Sequence, residues 1–541
     1  MKTYTRLLTR ETMAECDKYT IDALGIPSRT LMERAARGVI SYMRDHESTF
    51  PYKQKNLVVL CGSGNNGGDG FAIARFLSET QDTHISVCYV GKRSANGTPD
   101  VSAMSQECAR QYELLKELLT PIFSPRHMDE VLKNTHVIID AMLGIGLDRP
   151  VQGELAELIR LVNESGIPIL AVDIPTGICA NSGAILGDAI RATATVTMQA
   201  PKVGMLCYPA TELCGNIYVC DIGITLSPAD QKDKKIFLAN KEMLHSAMPP
   251  RSRRTHKGTY GQLALLCGSE DMCGAAILAA KGALRSGVGL LRVVTPSVNK
   301  IPLHTTVPEA ILTTYQPPAP PDTEALEAIV RCDGAVVGCG MGTTAPSLEL
   351  LRRFLDIRPL NKPFPVVLDA DALNLLAKHP DLWDSVIRSG EQTVITPHPA
   401  EFSRLSGLSV SDILADPVES AASFAKKNGV VVVLKDAHTV IASHDGSVGI
   451  CPYGNAGMAK GGCGDVLAGI IGSLLVQNRA HFDHPTSLWE TVCAGVVLHG
   501  LAGDAAAQAL GEYAMSPSDI TDMMGLVTRE FSNTRTNIDS D

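Results

Sequence analysis

Apolar residues recur along this chain in two alternating rhythms. Short runs that are apolar at nearly every position, such as Asn56–Cys61 (NLVVLC), 137–140, 168–172 and Ala194–Met198, are separated by longer stretches whose apolar residues fall three or four apart. The first kind predicts strands buried on both faces, and the second predicts helices packed over them. Residues 9–24 and 28–44 read as two such helices, the second with a Ser28 cap and Leu31, Met32, Ala35, Ala36, Val39 and Ile40 on one side. GSGNNGGDG then reads as a Gly-rich turn, 71–77 as a helix and 84–90 as the next strand. The alternation pauses between Leu226 and about Arg254, where charge and Pro249-Pro250 mark a junction around a short helix at Lys241–Ala247. It resumes at Lys257 with strands ending in Gly, Asp, His or Lys: QLALLCGS, AVVGCGMG, VVLDADALN, TVITPHPAE and VVVLKDAHTVI. This is an α/β pattern, twice over. The tail, 531–541, is polar and reads as disordered.

Composition narrows the picture. A chain of 541 residues, 45% hydrophobic and 20% charged, has material for two cores. A formal charge of −10 spread over that length argues against a nucleic-acid surface and leaves room for small anionic ligands in local pockets. The fifteen cysteines form no CxxC pair and read as reduced, mostly buried residues. The N-terminus lacks the apolar core of a signal peptide, and no run approaches 18 apolar residues, so the expected place is the cytoplasm, without a membrane span.

Candidate chemistry lies at the strand ends. Residues 455–469 (NAGMAKGGCGDVLAG) set Gly461, Gly462 and Gly464 before an apolar helical run. A glycine loop opening a helix is an anion site, because the first-turn N–H groups lack intrahelical partners. Asp465 beside such an anion stands where a general base would, although a helix N-cap is an equal reading. In the first half, Gly62, Gly64 and Gly67 satisfy GxGxxG, which suggests a dinucleotide-binding dehydrogenase. The expected acid after the second strand is missing: Gly91, Lys92 and Arg93 stand there, two bases suited to a 2′-phosphate. Asn65, Asn66, Asp69, Asp140 and Asp173 should meet at the carboxyl ends of parallel strands. The hard oxygens of Asn66, Asp140 and Thr176 suit an alkali or alkaline-earth ion. His398, held between two prolines, and Lys435 through Thr439, after an apolar strand, offer ligand and phosphate contacts or plain turns. Asp369 and Asp371 are a carboxylate pair or a capped helix start.

LMERAA, CGSGNNGGDGF, IIDAMLGIGLDRP, AVDIPTG, APKVGM and DIGI, in that order, resemble the N-terminal domain of the NAD(P)HX epimerases, which act on hydrated NAD(P)H. HKGTYG, GAAILAAKGALRSGVGLLRV, GCGMG, VLDADALN, TPHPAEFSRL, VLKDAHTVI and GNAGMAKGGCGDVLAGIIGSLL resemble the ADP- or ATP-dependent NAD(P)HX dehydratases of the ribokinase-like superfamily. The whole chain is similar to the bifunctional NAD(P)HX repair enzymes. The resemblance implies a Rossmann-like three-layer sandwich over 1–228, a linker over 229–253 and a ribokinase-like three-layer sandwich over 254–530. It implies that Asn65, Asn66, Gly67, Gly68, Asp69, Gly144, Ile145, Gly146, Leu147, Asp148, Arg149 and Pro150 contact the hydrated nucleotide. Asn66, Asp140 and Thr176 would ligate potassium, and Asp173 would be the catalytic or substrate-contacting acid. In the second half Ala275, Gly340, His398 and Asp465 would face the substrate, with Asp465 the catalytic base. Lys435, Asp436, Ala437, His438, Thr439 and Gly464 would contact ADP, accompanied by magnesium. Three positions depart from the family pattern: Cys463 for threonine, and Asp436 and Ala400 for glycine.

The activity so implied is epimerisation of R- and S-NAD(P)HX and ADP-dependent dehydration of the S form to NAD(P)H, AMP and phosphate. The expected partners are NADHX, NADPHX and ADP, in a homo-oligomer that binds neither nucleic acid nor membrane. A ribokinase-like kinase of a small alcohol, such as a vitamin precursor, fused to a nucleotide-sensing domain is the alternative.

Overall fold

The computed structural model describes residues 4–80, 82–226, 235–248, 251, 254–319, 321–359, 363–387, 392–481 and 486–532. The chain divides into two compact units, one of residues 5–236 and one from Phe237 onward together with Tyr4.

The first unit is built on β1 (Asn56–Cys61), β2 (His84–Tyr89), β3 (Ile122–Phe123), β4 (Val137–Ala141), β5 (Ile169–Val172), β6 (Ala194–Met198) and β7 (Asn216–Cys220). They form one parallel sheet in the order β3-β2-β1-β4-β5-β6-β7. Alternate side chains of β1 feed two cores. Leu57, Val59 and Cys61 join Leu31, Ala35 and Phe71 on one face, and Val58 and Leu60 join Leu158, Ile159 and Val162 on the other. Near-continuous apolar strands are thus explained by helices on both sides. The Gly-rich stretch departs from the expected turn: the helix after β1 begins at Asn65 and runs to Glu79. A Cβ on Gly67 would lie 2.0 Å from the Gly62 carbonyl oxygen, so the glycines let the helix start directly against the strand end. Ser28 is also the first residue of its helix rather than the cap, which is Pro27; Thr9 caps the preceding helix, its Oγ1 accepting from Thr12 N at 3.1 Å.

The sheet of the second unit is made of β8 (Lys235–Leu238), which straddles the boundary at Phe237, and of β9 (Gln262–Leu266), β10 (Leu290–Pro296), β11 (Ile311–Tyr315), β12 (Gly334–Val337), β13 (Val366–Leu368), β14 (Thr393–Ile395), β15 (Val431–Leu434), β16 (Thr439–Ala442) and β17 (Ser447–Cys451). The sheet order is β11-β10-β9-β12-β13-β14-β15-β16-β17-β8, parallel from β11 to β15 and antiparallel from β15 to β17. Over Leu263 and Leu265 cross the helices Cys273–Arg285 and Cys463–His481. Their backbones approach so closely that a Cβ on Gly469 would sit 2.1 Å from Ala279 O, and one on Gly282 2.5 Å from Val466 O. The 23-residue helix Leu488–Leu510 is apolar because it is a core helix, with Val492, Val497 and Leu498 buried. Helix Lys241–Ala247, at the position expected, buries Met243 and Leu244 in the same core. All fifteen cysteines are free. The polar tail lies outside the described residues beyond Ser532, as does 229–234 of the expected linker.

Both sheets are doubly wound. In the first, the chain travels β1, β2, β3 to one edge and returns to β4 on the other side of β1; in the second, β9, β10 and β11 are followed by β12 on the other side of β9. Ligand crevices open at the carboxyl ends of strands where the winding direction switches. Asp69, Asp140 and Asp173 lie near the first of these places, and Asp369 and Asp465 near the second.

Candidate active sites

In the first unit a cavity of about 900 Å³ opens at the β1/β4 switch. Asn65, Asn66, Asp69, Gly144, Ile145, Gly146, Leu147, Asp148, Arg149, Pro150 and Asp173 line it. Gly67 and Gly68 do not line it; they lie behind its wall, where a Cβ on Gly68 would meet Met32 Cε at 2.6 Å. Asp173 follows β5 with φ 68°, a left-handed backbone that few non-glycine residues adopt. Its Oδ1 accepts from Met198 N at 3.1 Å and from Lys202 Nζ. Lys202 is fully buried and also donates to Thr197 Oγ1 at 2.8 Å and Met198 O at 3.0 Å, so the strained carboxylate is held by a fixed cation.

Asp17 joins Asp69 and Asp173 at the cavity wall. Burial, then the nearby charges of Asp173 and Asp17, push Asp69 well above the ordinary carboxylate range and favour its protonated form. Burial raises Asp17 as well. The arrangement pairs a proton-bearing acid with a carboxylate held by a cation, which suits proton exchange at a bound molecule.

Asp140 is fully buried and Thr176 is its partner: Thr176 N and Oγ1 donate to it at 2.8 and 2.7 Å, and Met142 N at 3.2 Å. Burial nevertheless pushes Asp140 up to about 6. Leu143 N donates to Thr176 Oγ1 at 3.0 Å, and the next residue, Gly144, faces Asn66, whose Cβ lies 3.2 Å from where a Gly144 Cβ would stand. Both polar atoms of the Asn66 amide are buried without a partner. That is an unusual cost unless a ligand meets them. Lys92 and Arg93 do not form a phosphate site: Arg93 donates to the carbonyls of Gly97 at 2.7 Å, Tyr89 at 3.2 Å and Phe123, and Lys92 lies 3.6 Å from Asp100.

In the second unit the strand ends gather around Asp369, which is 1% exposed. Its Oδ1 accepts from Lys435 Nζ at 2.9 Å and Thr396 Oγ1 at 2.7 Å. Asp465 lies in the first turn of helix Cys463–His481, so it is not an N-cap. Burial first, then the charge of Asp369, pushes Asp465 up to about 6, close to the value that suits a base near neutrality. Burial opposes charge on Lys435, yet Asp369 and Glu401 hold it protonated above its ordinary value. Next to Asp465, a Cβ on Gly464 would stand 3.2 Å from Lys435 Nζ. Gly464 thereby leaves a space between a helix N-terminus and a cation. Of the three loop glycines only Gly462 uses a positive φ, 105°.

Ala275 and Gly340 meet, the Ala275 Cβ lying 2.7 Å from where a Gly340 Cβ would stand. His398 caps helix Pro399–Ser406: its Nδ1 accepts from Ala400 N at 3.2 Å and Glu401 N at 3.4 Å, while Glu401 accepts from His398 N at 3.0 Å. Its ring remains half exposed, and burial, the leading influence, holds its imidazolium below the usual value. Residues 435–439 turn the chain from β15 into β16. Only the first of them reaches Asp369, while Asp436 and Ala437 are exposed. Asp436 therefore points its charge at solvent rather than at the space by Gly464.

Sequence reasoning missed Asp17 and Lys202, and it left Asp369 undecided beside Asp371. Asp371 proves to be the helix-start residue, accepting from Gly342 N at 2.8 Å. Lys202 carried a signal in its position just after β6, a charge where the chain is otherwise apolar. Asp17 carried none, because it reaches the cavity from a helix face far away in sequence.

Residues 28–204 match a family described as YjeF-related protein N-terminus, and residues 263–525 match one described as NAD(P)H-hydrate dehydratase. The chain is 36% identical over 505 residues to the bifunctional NAD(P)H-hydrate repair enzyme Nnr of Escherichia coli, covering 93% of this chain and 90% of that one. It belongs to the bifunctional NAD(P)H-hydrate repair enzymes. Among solved structures, this repair-enzyme chain is similar to a ribokinase-like superfamily protein from Enterococcus faecalis (28% identity, TM-score 0.48, 55% of this chain and 96% of that one). It is also similar to the ADP/ATP-dependent NAD(P)H-hydrate dehydratase of Bacillus subtilis (28% identity, TM-score 0.44, 54% and 98%).

Proposed function

We propose that the first unit interconverts the R and S hydrates of NAD(P)H and that the second removes water from the S hydrate at the expense of ADP. The observation that carries this reading is that each unit of a chain belonging to the repair family has its own acid-lined strand-end site. In the first site Asp69 gives its proton to the hydroxyl, which leaves the ring carbon as water; when water returns to the opposite face, Asp173, held by Lys202, takes up the proton it releases. Asn66, Asp140 and Thr176 hold a potassium ion; the partnerless Asn66 amide supports that fit. Bound there, the ion supplies fixed positive charge beside the ring.

In the second site Asp465 accepts the proton of the hydrate's hydroxyl as that oxygen takes the terminal phosphoryl group of ADP; AMP leaves, and departure of phosphate together with a proton from the adjacent ring carbon restores the ring double bond. Gly464 and Lys435 bind the phosphates, and magnesium, when bound with the nucleotide, supplies neutralising charge. Ala275, Gly340 and His398 border the hydrate. Fifteen free thiols support a reducing compartment, and we place the enzyme in the cytoplasm. A homo-oligomer is part of the same reading, checked by light scattering.

The test is to supply mixed R and S hydrate with ADP, then with ATP, and to follow ring absorbance and phosphate. Recovery of all the absorbance with one phosphate released per ring supports the proposal. A stable phosphorylated product without absorbance would instead reveal a small-alcohol kinase.

A further inference from the structure

The second site carries sulfur that the proposed proton transfer does not use. Cys339 follows β12 and is fully buried, with its Sγ 3.8 Å from Asp369 Oδ2. Cys267, just past the end of β9, lies close to Cys339. Asp369 is divided in its contacts: Oδ1 is taken up by Lys435 and Thr396, whereas Oδ2 faces the thiol. One donor atom each from Cys339, Asp369 and Asp465 lies within 4.8 Å of the other two.

A tetrahedral zinc ion has Zn–S of about 2.3 Å and Zn–O of about 2.1 Å, which separates its sulfur and oxygen ligands by about 3.6 Å. The 3.8 Å between Cys339 Sγ and Asp369 Oδ2 is already close to that edge. Charge also favours a cation. Lys435 is shared between Asp369 and Glu401, so a divalent ion supplies positive charge that two carboxylates and a thiolate otherwise lack. Magnesium prefers octahedral oxygen ligation and keeps its waters, so a buried sulfur selects against it.

We propose that Cys339, Asp369 and Asp465 form a site for a thiophilic divalent cation such as zinc, with water as fourth ligand, and that its occupation shuts the dehydratase. Binding forms the metal–sulfur bond, releases the thiol proton to solvent and involves no change of oxidation state. Inhibition follows because the metal engages the carboxylate of Asp465; that half of the proposal rests on Asp465 being the base, and the binding half does not.

The full-length protein, kept reduced with a phosphine and stripped of metal, is titrated with Co²⁺ and then Zn²⁺ in saturating Mg²⁺ and ADP. The expected results are a near-ultraviolet sulfur-to-cobalt charge-transfer band reaching one equivalent per chain. At least tenfold slower dehydration with Zn²⁺, reversed by chelation, should accompany unchanged epimerisation. Cys339→Ser and Cys339→Ala should lose the band, and their rates with and without Zn²⁺ should differ less than twofold, whatever the basal rate. Thermal unfolding and residual metal-free dehydration of each variant report that its second unit is intact. Absence of the band in the parent protein, or its survival in both variants, overturns the site; a band without inhibition overturns the switch. Loss of dehydration in metal-free Asp465→Asn supports the base on its own. Full activity there would sink the base reading while leaving the cobalt result to decide the site.

Discussion

At the scale of single residues, the two acids proposed for catalysis are held in opposite ways, and this separates their tests. Asp465 is pushed up to about 6 by burial and by Asp369. Only its ionised form accepts a proton, so dehydration should climb with pH below about 6 with a slope of one and level off above, while epimerisation does not follow that curve. Asp465→Asn should slow dehydration by roughly 10²- to 10⁴-fold and leave epimerisation intact, read from ring absorbance with separated hydrates. Asp173 sits on the buried Lys202. Asp173→Ala strands that cation, a loss of roughly 3–5 kcal/mol when one partner of a buried pair is removed. Asp173→Asn keeps an acceptor for Lys202 and removes the base. The Asn variant should therefore be folded and inactive in epimerisation, and urea unfolding should separate it from the Ala variant. Asp173 was legible in the sequence because it ends a strand run, and Asp465 because it opens an apolar helical run after a glycine loop. Lys202 and Cys339 were not, because nothing local says which acid a buried cation or thiol will meet.

At the scale of elements, His398 shows how a site residue can serve the backbone as well. Its Nδ1 caps helix Pro399–Ser406, so His398→Ala should lose roughly 1 kcal/mol of stability, and His398→Asn should recover most of that loss. If the exposed edge of the ring also touches the hydrate, the Asn variant will have a raised KM for it despite normal unfolding. The helix pair that positions Asp465 depends on bare backbone: Gly469→Ala would place a Cβ 2.1 Å from Ala279 O. Overpacking of that kind costs roughly 1–3 kcal/mol, and the displaced helix start should lower kcat for dehydration, checked by thermal unfolding and rate together. Residues 274–286 are rich in alanine and glycine, a composition suited to close packing, but the partner helix is identified only in the folded chain.

At the scale of the whole molecule, the two activities belong to separate sheets with separate cores. A mixture of Asp465→Asn and Asp173→Asn proteins should therefore convert pure R hydrate to NAD(P)H with ADP, which neither does alone at the parent rate. The pH dependence of stability has a definite sign. Asp465 has a folded value of about 6 against an ordinary 3.8, so the folded state binds the proton more tightly. Its contribution falls as pH rises from about 4 to about 6 and is constant above that. Asp465→Asn should consequently gain Tm over the parent between pH 4 and pH 7, which calorimetry can follow. The sequence by itself determined the α/β class, the two sheets and the strand ends that carry acids, because alternation of buried strands and amphipathic helices is a local, periodic signal. Tertiary structure alone decided that the helix after β1 starts at Asn65, that Arg93 is a structural clamp, and that Asp369 gathers Lys435, Cys339 and Asp465. Those outcomes depend on which strands become neighbours at each switch point, and that is fixed by the winding of the whole sheet rather than by any stretch of it.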